Sequence, residues 1–236
     1  MPTPPTHPSG SVDVEVICAD ALGWLRDRPA QPGCSLFTSL PDVAELGVDL
    51  ATWEPFFLDA AAACLAAVPD DGVAVFLQTD KKIDGRWISK AALVLRAAQA
   101  DGSALLAHQI VCRHAPGTVS MGRPGFSHLL VLSRGRRAPA ALSSADVLLD
   151  PGPAAWSHGL GAAVATRALR WITGLSPSTT TVLAPFCGLG EALVAAQAAG
   201  LGAVGVQRNR KRAARAAARV EAAGQGRAAA ALVPPR

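Results

Sequence analysis

Short apolar runs alternate with longer segments of helical character through the first hundred residues. Strands are predicted at the apolar runs 14–18, 35–38 and 73–77. Helices are predicted at the segments between and after these runs, at 21–28, 53–68 and 88–100. Strands that alternate with helices are typical of a parallel sheet that carries helices on both faces.

The pattern changes after residue 100. Two strand-like runs, 105–112 and 128–133, are joined by a polar loop rich in Gly and Pro that holds no helix, so an antiparallel pair is predicted. A linker at 139–153 leads to a helix at 161–173. The predicted fold class is α/β, with a doubly wound, mostly parallel sheet and one antiparallel edge strand.

A strand, a glycine turn, a helix and a second strand follow one another near the C-terminus. The apolar run from Thr181 ends in a turn with Gly188 and Gly190, a helix is predicted at 192–199, and the next strand is followed by Gln207. Bare backbone amides at such a turn admit a cofactor, and a polar residue after the second strand contacts a ribose. The pattern predicts a nucleotide-bearing cofactor, with an ordinary glycine turn as the alternative.

Composition bounds the remaining classes. The chain has 236 residues, half of them hydrophobic, and a net charge of +4, which permits a polyanionic partner. Its five cysteines are dispersed, so neither a metal site nor a disulfide framework is predicted. Residues 1–11 and 224–236 are predicted to be disordered, with one domain at 12–223. No signal peptide or membrane span is recognisable, so a cytoplasmic location is expected.

Polar residues follow two further predicted strands. The loop Thr38-Ser39-Leu40-Pro41-Asp42 combines hydroxyl groups, a rigid proline and a carboxylate. Asp20 follows the first strand, where it serves as a ligand contact or as a simple helix N-cap. Ligands bind at the carboxyl ends of parallel strands, so the first loop is a candidate acceptor site beside the glycine turn.

Three of these segments, in this order, resemble a known family. They are Ala19-Asp20-Ala21-Leu22, then Ser39 to Asp42, then Ala184-Pro185-Phe186-Cys187-Gly188-Leu189-Gly190. The core from about residue 14 to 219 resembles S-adenosylmethionine-dependent methyltransferases with permuted motif order, in particular bacterial amino-methyltransferases of nucleic acid bases. The resemblance implies a Rossmann-like methyltransferase fold and S-adenosylmethionine as the cofactor.

The resemblance also implies roles for individual residues. The loop that meets the acceptor base, and so carries catalysis, comprises Ser39, Leu40, Pro41 and Asp42. The cofactor-binding residues are Asp20, Ala21, His158, Pro185, Phe186, Cys187, Gly188, Gly190 and Gln207. The chain departs from the family where Ala184 and Gln207 replace acidic residues, and where the acceptor loop lacks a second proline and an aromatic residue.

Basic residues beside the expected cleft indicate a nucleic acid substrate. Those predicted to bind it are Lys81, Lys82, Arg86, Arg113 and Arg123. Because no target-recognition domain is evident, methylation of a base nitrogen in structured RNA, such as tRNA or rRNA, is the predicted function. The alternatives are a DNA amino-methyltransferase, a small-molecule methyltransferase, and a catalytically decayed protein that binds RNA or a partner. The sequence leaves open whether the protein forms a homodimer.

Overall fold

A computed structural model describes residues 12–119, 121, 123–155 and 159–231. The predicted disordered N-terminus, His158 and residues 232–236 lie outside this range. The strands are β1 Val14–Ile17, β2 Cys34–Thr38, β3 Ala74–Gln78, β4 Lys81–Ile83, β5 Arg86–Ile88, β6 Ala104–Cys112, β7 Phe126–Ser133, β8 Val147–Leu148, β9 Thr181–Pro185 and β10 Gly202–Val206. The helices are α1 Ala21–Arg26, α2 Val43–Leu46, α3 Leu50–Ala66, α4 Lys90–Asp101, α5 Ala162–Leu175, α6 Glu191–Ala198 and α7 Arg210–Ala231.

Eight strands form one sheet in the order β1-β10-β9-β2-β3-β7-β6-β8. The first five in this order run parallel to one another. Strand β7 pairs antiparallel with both β3 and β6, and β8 is parallel to β6. Strands β4 and β5 form a separate antiparallel hairpin.

The central strands are apolar on both sides because helices cover both faces of the sheet. On one face Leu36 and Phe76 pack with Trp53 and Phe57 of α3 and with residues of α4. On the other face Phe37 and the neighbouring residues of β3 pack with α5 and α6. The two buried layers fix the sheet, so the loops at its carboxyl edge rest on a rigid support. Among the described residues, no helix has the length and apolar character needed to cross a membrane.

The predicted doubly wound, mostly parallel sheet is confirmed, and so is the antiparallel pairing of β6 with β7. Three details differ from the sequence predictions. The reversed strand β7 lies inside the sheet rather than at its edge, because β6 and β8 continue the sheet beyond it. The β4–β5 hairpin and the short strand β8 were not predicted. The predicted tail boundary at Gly224 falls within α7, which continues to Ala231.

Candidate cofactor and acceptor site

The candidate site lies where the direction of winding reverses, between β9 and β2. These strands are adjacent and parallel, but the chain continues from β9 to β10 on one side and from β2 to β3 on the other. The Thr38 hydroxyl donates a hydrogen bond to the Pro185 carbonyl, which joins the carboxyl ends of the two strands. The acceptor loop and the glycine turn are therefore neighbours, as the order of strands in such folds predicts.

A cavity of about 240 Å³ opens between the two loops. This volume is slightly below the usual range of about 300–1,000 Å³ for small-molecule sites. Nine of the residues predicted from the sequence line it, namely Asp20, Ala21, Ser39, Leu40, Pro41, Phe186, Cys187, Gly188 and Gln207. Glu45, Glu191, Arg208, Asn209 and Arg212 add polar groups that had not been assigned to the site.

The two glycines of the turn have different surroundings. Gly188 has a φ of 58°, and a Cβ atom added there would meet nothing within 4 Å, so bare backbone borders the cavity. Gly190 has a φ of 80° and does not line the cavity, and a Cβ atom there would lie 3.2 Å from Cβ of Ala216. Gly190, which the resemblance assigned to the cofactor, therefore faces α7 in this structure.

The residues beside Gly188 are held by local contacts. Phe186 also has a positive φ, 62°, and its ring packs edge-on against Phe56 at a centroid distance of 6.5 Å. The Cys187 amide donates to the Val206 carbonyl at 3.0 Å, which ties the turn to β10. Burial raises the pKa of the Cys187 thiol to about 12, so the thiol stays protonated at neutral pH. Cys187 thus contributes packing to the cavity wall and is a poor nucleophile.

Gln207 and Asp20 line the cavity and also satisfy backbone amides of their own loops. The amide oxygen of Gln207 accepts from the Asn209 N–H at 2.9 Å. The Asp20 carboxylate accepts from the Gly23 N–H at 2.8 Å and caps α1. The N-cap interpretation of Asp20 is confirmed, and the same residue also lines the cavity, so its contact with a ligand stays a prediction.

Glu191, the first residue of α6, is a site residue that the sequence interpretation missed. Its carboxylate accepts hydrogen bonds from the amides of Ala155 and Leu160, and a Cβ atom on Gly159 would lie 2.6 Å from it. An acidic residue in the first turn of a helix is favoured by the helix dipole, and that position was the available signal. Glu191 therefore holds the chain before α5 against the cavity.

Arg113, predicted to bind substrate, supports the same segment. Its guanidinium donates to the Ser127 hydroxyl at 2.8 Å and to the Gly159 carbonyl at 3.1 Å. Burial lowers the pKa of Arg113, and the nearby Glu191 carboxylate partly restores it. Neither Arg113 nor Pro185, which was assigned to the cofactor, lines the cavity.

Asp42 points into an ion cluster and does not line the cavity. The side chain is buried, and its carboxylate is 3.2 Å from both the Lys81 ammonium and the Arg123 guanidinium. Lys90 lies buried nearby, and burial lowers the pKa of its ammonium, with Asp42 and Glu45 acting in the opposite direction. In the structure Asp42 is thus held by two cations, and its contact with an acceptor stays a prediction.

The hairpin carries the other two predicted substrate residues, Lys82 and Arg86, which are both exposed. Its turn consists of Asp84 and Gly85, with φ values of 49° and 71°. Such a pair is a strong hairpin signal, because both residues must adopt positive φ in a tight two-residue turn. Among the described residues, no group of three or more His, Cys, Asp or Glu side chains could hold a metal ion.

No protein-family model and no curated protein matches the sequence. Solved structures share the fold. TTHA0409, a candidate DNA modification methylase from Thermus thermophilus in complex with S-adenosyl-L-methionine, aligns with a TM-score of 0.69 at 19% identity, over 90% of this chain and 95% of its own. The PvuII cytosine-N4-specific DNA methyltransferase aligns with a TM-score of 0.66 at 11% identity, over 91% and 92%.

The M1.HpyAVI–SAM complex aligns with a TM-score of 0.58 at 13% identity, over 87% of this chain and 98% of its own. Nearly the whole of each compared protein is thus covered. The chain has the Rossmann-like fold of these methyltransferases.

Proposed function

We propose that this protein is an S-adenosylmethionine-dependent methyltransferase that modifies nucleic acid, and that its acceptor is an amino group of a DNA base. One observation carries the proposal: a single cavity at the β9–β2 reversal is lined by both the glycine turn and the Ser39–Pro41 loop. Two of the compared structures are described as DNA-modifying enzymes. They favour DNA over the RNA substrate expected from the sequence.

The residues of the cavity fit the cofactor. S-adenosylmethionine carries a positive sulfonium and ammonium beside a negative carboxylate, and the cavity offers both signs of charge, acidic at Asp20, Glu45 and Glu191 and basic at Arg208 and Arg212. The open space above Gly188 accommodates an atom of the ligand where a side chain would obstruct it. Gln207, at the end of β10, is the residue we assign to the ribose hydroxyls. When bound, the cofactor supplies an electrophilic methyl group.

The acceptor loop is rigid enough to orient an amine. The Trp53 indole N–H donates to the Pro41 carbonyl at 3.1 Å, and the ion pairs of Asp42 hold the next residue. The Ser39 hydroxyl and the Leu40 carbonyl are the groups we assign to the N–H bonds of the acceptor. In-line methyl transfer depends mainly on such positioning and on exclusion of water.

The test is transfer of a radiolabelled methyl group to duplex DNA, single-stranded DNA, tRNA and rRNA, followed by mass spectrometry of the nucleosides. We expect methylated adenine or cytosine amino groups in DNA. Label confined to RNA would restore the RNA hypothesis. Cofactor binding without transfer to any nucleic acid would instead indicate the decayed binding protein or a small-molecule enzyme.

A matched pair of variants tests the cofactor site. Gly188 and Gly102 both have positive φ and no atom within 4 Å of an added Cβ, but only Gly188 lines the cavity. Gly188→Val should abolish S-adenosylmethionine binding in calorimetric titration, whereas Gly102→Val should bind normally. Equal affinity in the two variants would show that the cofactor lies elsewhere.

A further inference from the structure

The β4–β5 hairpin carries an exposed tryptophan, Trp87, whose indole ring is held by a hydrogen bond. Trp87 is 50% exposed, and its indole N–H donates to the Asp80 carboxylate at 2.8 Å. Burial alone would raise the pKa of Asp80, but the nearby His128 ring and the hydrogen bonds from Trp87 and the Ala91 amide hold it at about 2. The Asp80 carboxylate that accepts this hydrogen bond is therefore charged at physiological pH. A large aromatic ring is fixed at the surface with half of its area open to solvent.

Aromatic and basic groups surround this ring. The Lys82 ammonium lies 5.1 Å from the centroid of the Trp87 ring, and the Phe126 ring lies 6.3 Å away at 30°. Phe126 in turn packs edge-on against His128. Arg86 precedes Trp87 on β5 and is exposed, but successive residues of a strand point to opposite faces, so it belongs to the other face of the hairpin. We call Trp87, Phe126 and Lys82 the aromatic platform.

The aromatic platform is joined to the acceptor loop. Lys81, the first residue of the hairpin, forms an ion pair with Asp42 at 3.2 Å. Asp42 directly follows Pro41, which lines the cavity. A partner that rests on the hairpin is thus in contact with the element that fixes the acceptor loop.

The chemistry of the aromatic platform matches one kind of partner. Exposed aromatic rings with adjacent cations bind nucleic acid strands, because the rings stack on bases while the cations contact phosphates. In a duplex both faces of each base are already stacked, so a ring of this kind acts on unpaired bases. A net charge of +4 on the chain favours the same polyanionic partner.

We infer that Trp87 stacks on an unpaired nucleobase while Lys82 contacts an adjoining phosphate, so that this protein engages its substrate as a single strand. The inference rests on the proposed function for nucleic acid as the partner class. It adds that the strand is unpaired where it crosses the hairpin. It also assigns the recognition to a residue outside both motif loops.

The test is binding of a fluorescently labelled 12-nucleotide single strand by anisotropy, with the full-length protein and without S-adenosylmethionine. Trp87→Ala should weaken binding about 5- to 150-fold, the loss expected for one stacked base. The same strand with abasic sites keeps its phosphates, so it should bind Trp87→Ala and the unmodified protein equally. Trp24→Ala is the matched control. Trp24 likewise has a cation beside its ring, the Arg28 guanidinium at 4.9 Å, but it lies on α1 and not on the hairpin.

A second measurement does not depend on the stability of the alanine variant. Stacking quenches indole fluorescence, so the strand should quench the unmodified protein and Trp24→Phe but not Trp87→Phe. Equal weakening of the intact and abasic strands, quenching that persists in Trp87→Phe, or tighter binding of a duplex than of the single strand would overturn the inference. These binding measurements do not use S-adenosylmethionine. A negative result would therefore contradict the role of Trp87 without contradicting the proposed methyl transfer, which is tested separately.

Discussion

Replacement of Gly190 by alanine tests whether the second glycine of the turn serves helix packing. An L-residue in the left-handed region costs about 1–2 kcal/mol. Gly102 has nearly the same backbone, with φ 78° and ψ 11° against φ 80° and ψ 22° for Gly190. Only Gly190 has a neighbour in the way, Ala216 at 3.2 Å, and overpacking costs roughly 1–3 kcal/mol more. Gly102→Ala therefore measures the backbone strain alone.

For a chain of this size each kcal/mol lowers Tm by about 2–4 °C. Gly102→Ala should lower Tm by about 2–8 °C, and Gly190→Ala by about 4–20 °C, in differential scanning calorimetry. Calorimetric titration of S-adenosylmethionine at a temperature where both variants are folded should give affinities within about threefold of the unmodified protein, since neither side chain enters the cavity. If Gly190→Ala unfolds like Gly102→Ala but loses cofactor binding, Gly190 faces the cofactor and the packing explanation is wrong.

Three further substitutions test individual contacts. Gln207→Glu keeps an acceptor for the Asn209 amide and adds a charge, so S-adenosylmethionine should bind about fivefold more tightly by titration calorimetry, and weaker binding would place Gln207 away from the ribose. Asp42→Asn breaks a buried ion cluster, so urea unfolding should give a free energy about 3 kcal/mol lower with unchanged cofactor affinity; unchanged stability would mean that the cluster contributes nothing. Glu191→Gln leaves one of the two backbone amides that Glu191 binds without an acceptor, so hydrogen exchange should become faster at residue 155 or 160. Unchanged exchange at both residues would show that Glu191 does not hold this segment.

Much of the sheet could be predicted because its parallel strands are continuous apolar runs. The runs that became β2, β3 and β9 are buried on both faces, so their hydrophobicity is visible without knowledge of their partners. The β4–β5 hairpin has three residues in each strand and lies outside the main core, so hydrophobic periodicity could not reveal it. Only the Asp84-Gly85 turn signalled it. The position of β7 inside the sheet depends on pairing between strands distant in sequence.

For the candidate site too, some residues could be predicted from the sequence and others could not. Positions fixed by backbone, such as Gly188, Ser39 and Pro41, line the cavity because strand ends and turns place them there. The partners of charged side chains could not be predicted from the sequence. Arg113 turns to Ser127 and Gly159, and Asp42 turns to the hairpin. These directions depend on partners distant in the chain, and a residue type alone does not specify its partner.

The pairing of β1 with β10 has a consequence for synthesis of the protein. Val14 is in register with Ala203, so β1 cannot form its strand pairing until β10 has been synthesised. At about 5–20 residues per second, the ribosome releases that partner roughly 10–40 seconds later. During this interval the apolar residues of β1 have no strand beside them. The half of the sheet that holds the cofactor cavity therefore closes only after β10 has been synthesised, and contacts of such long range make its folding slow.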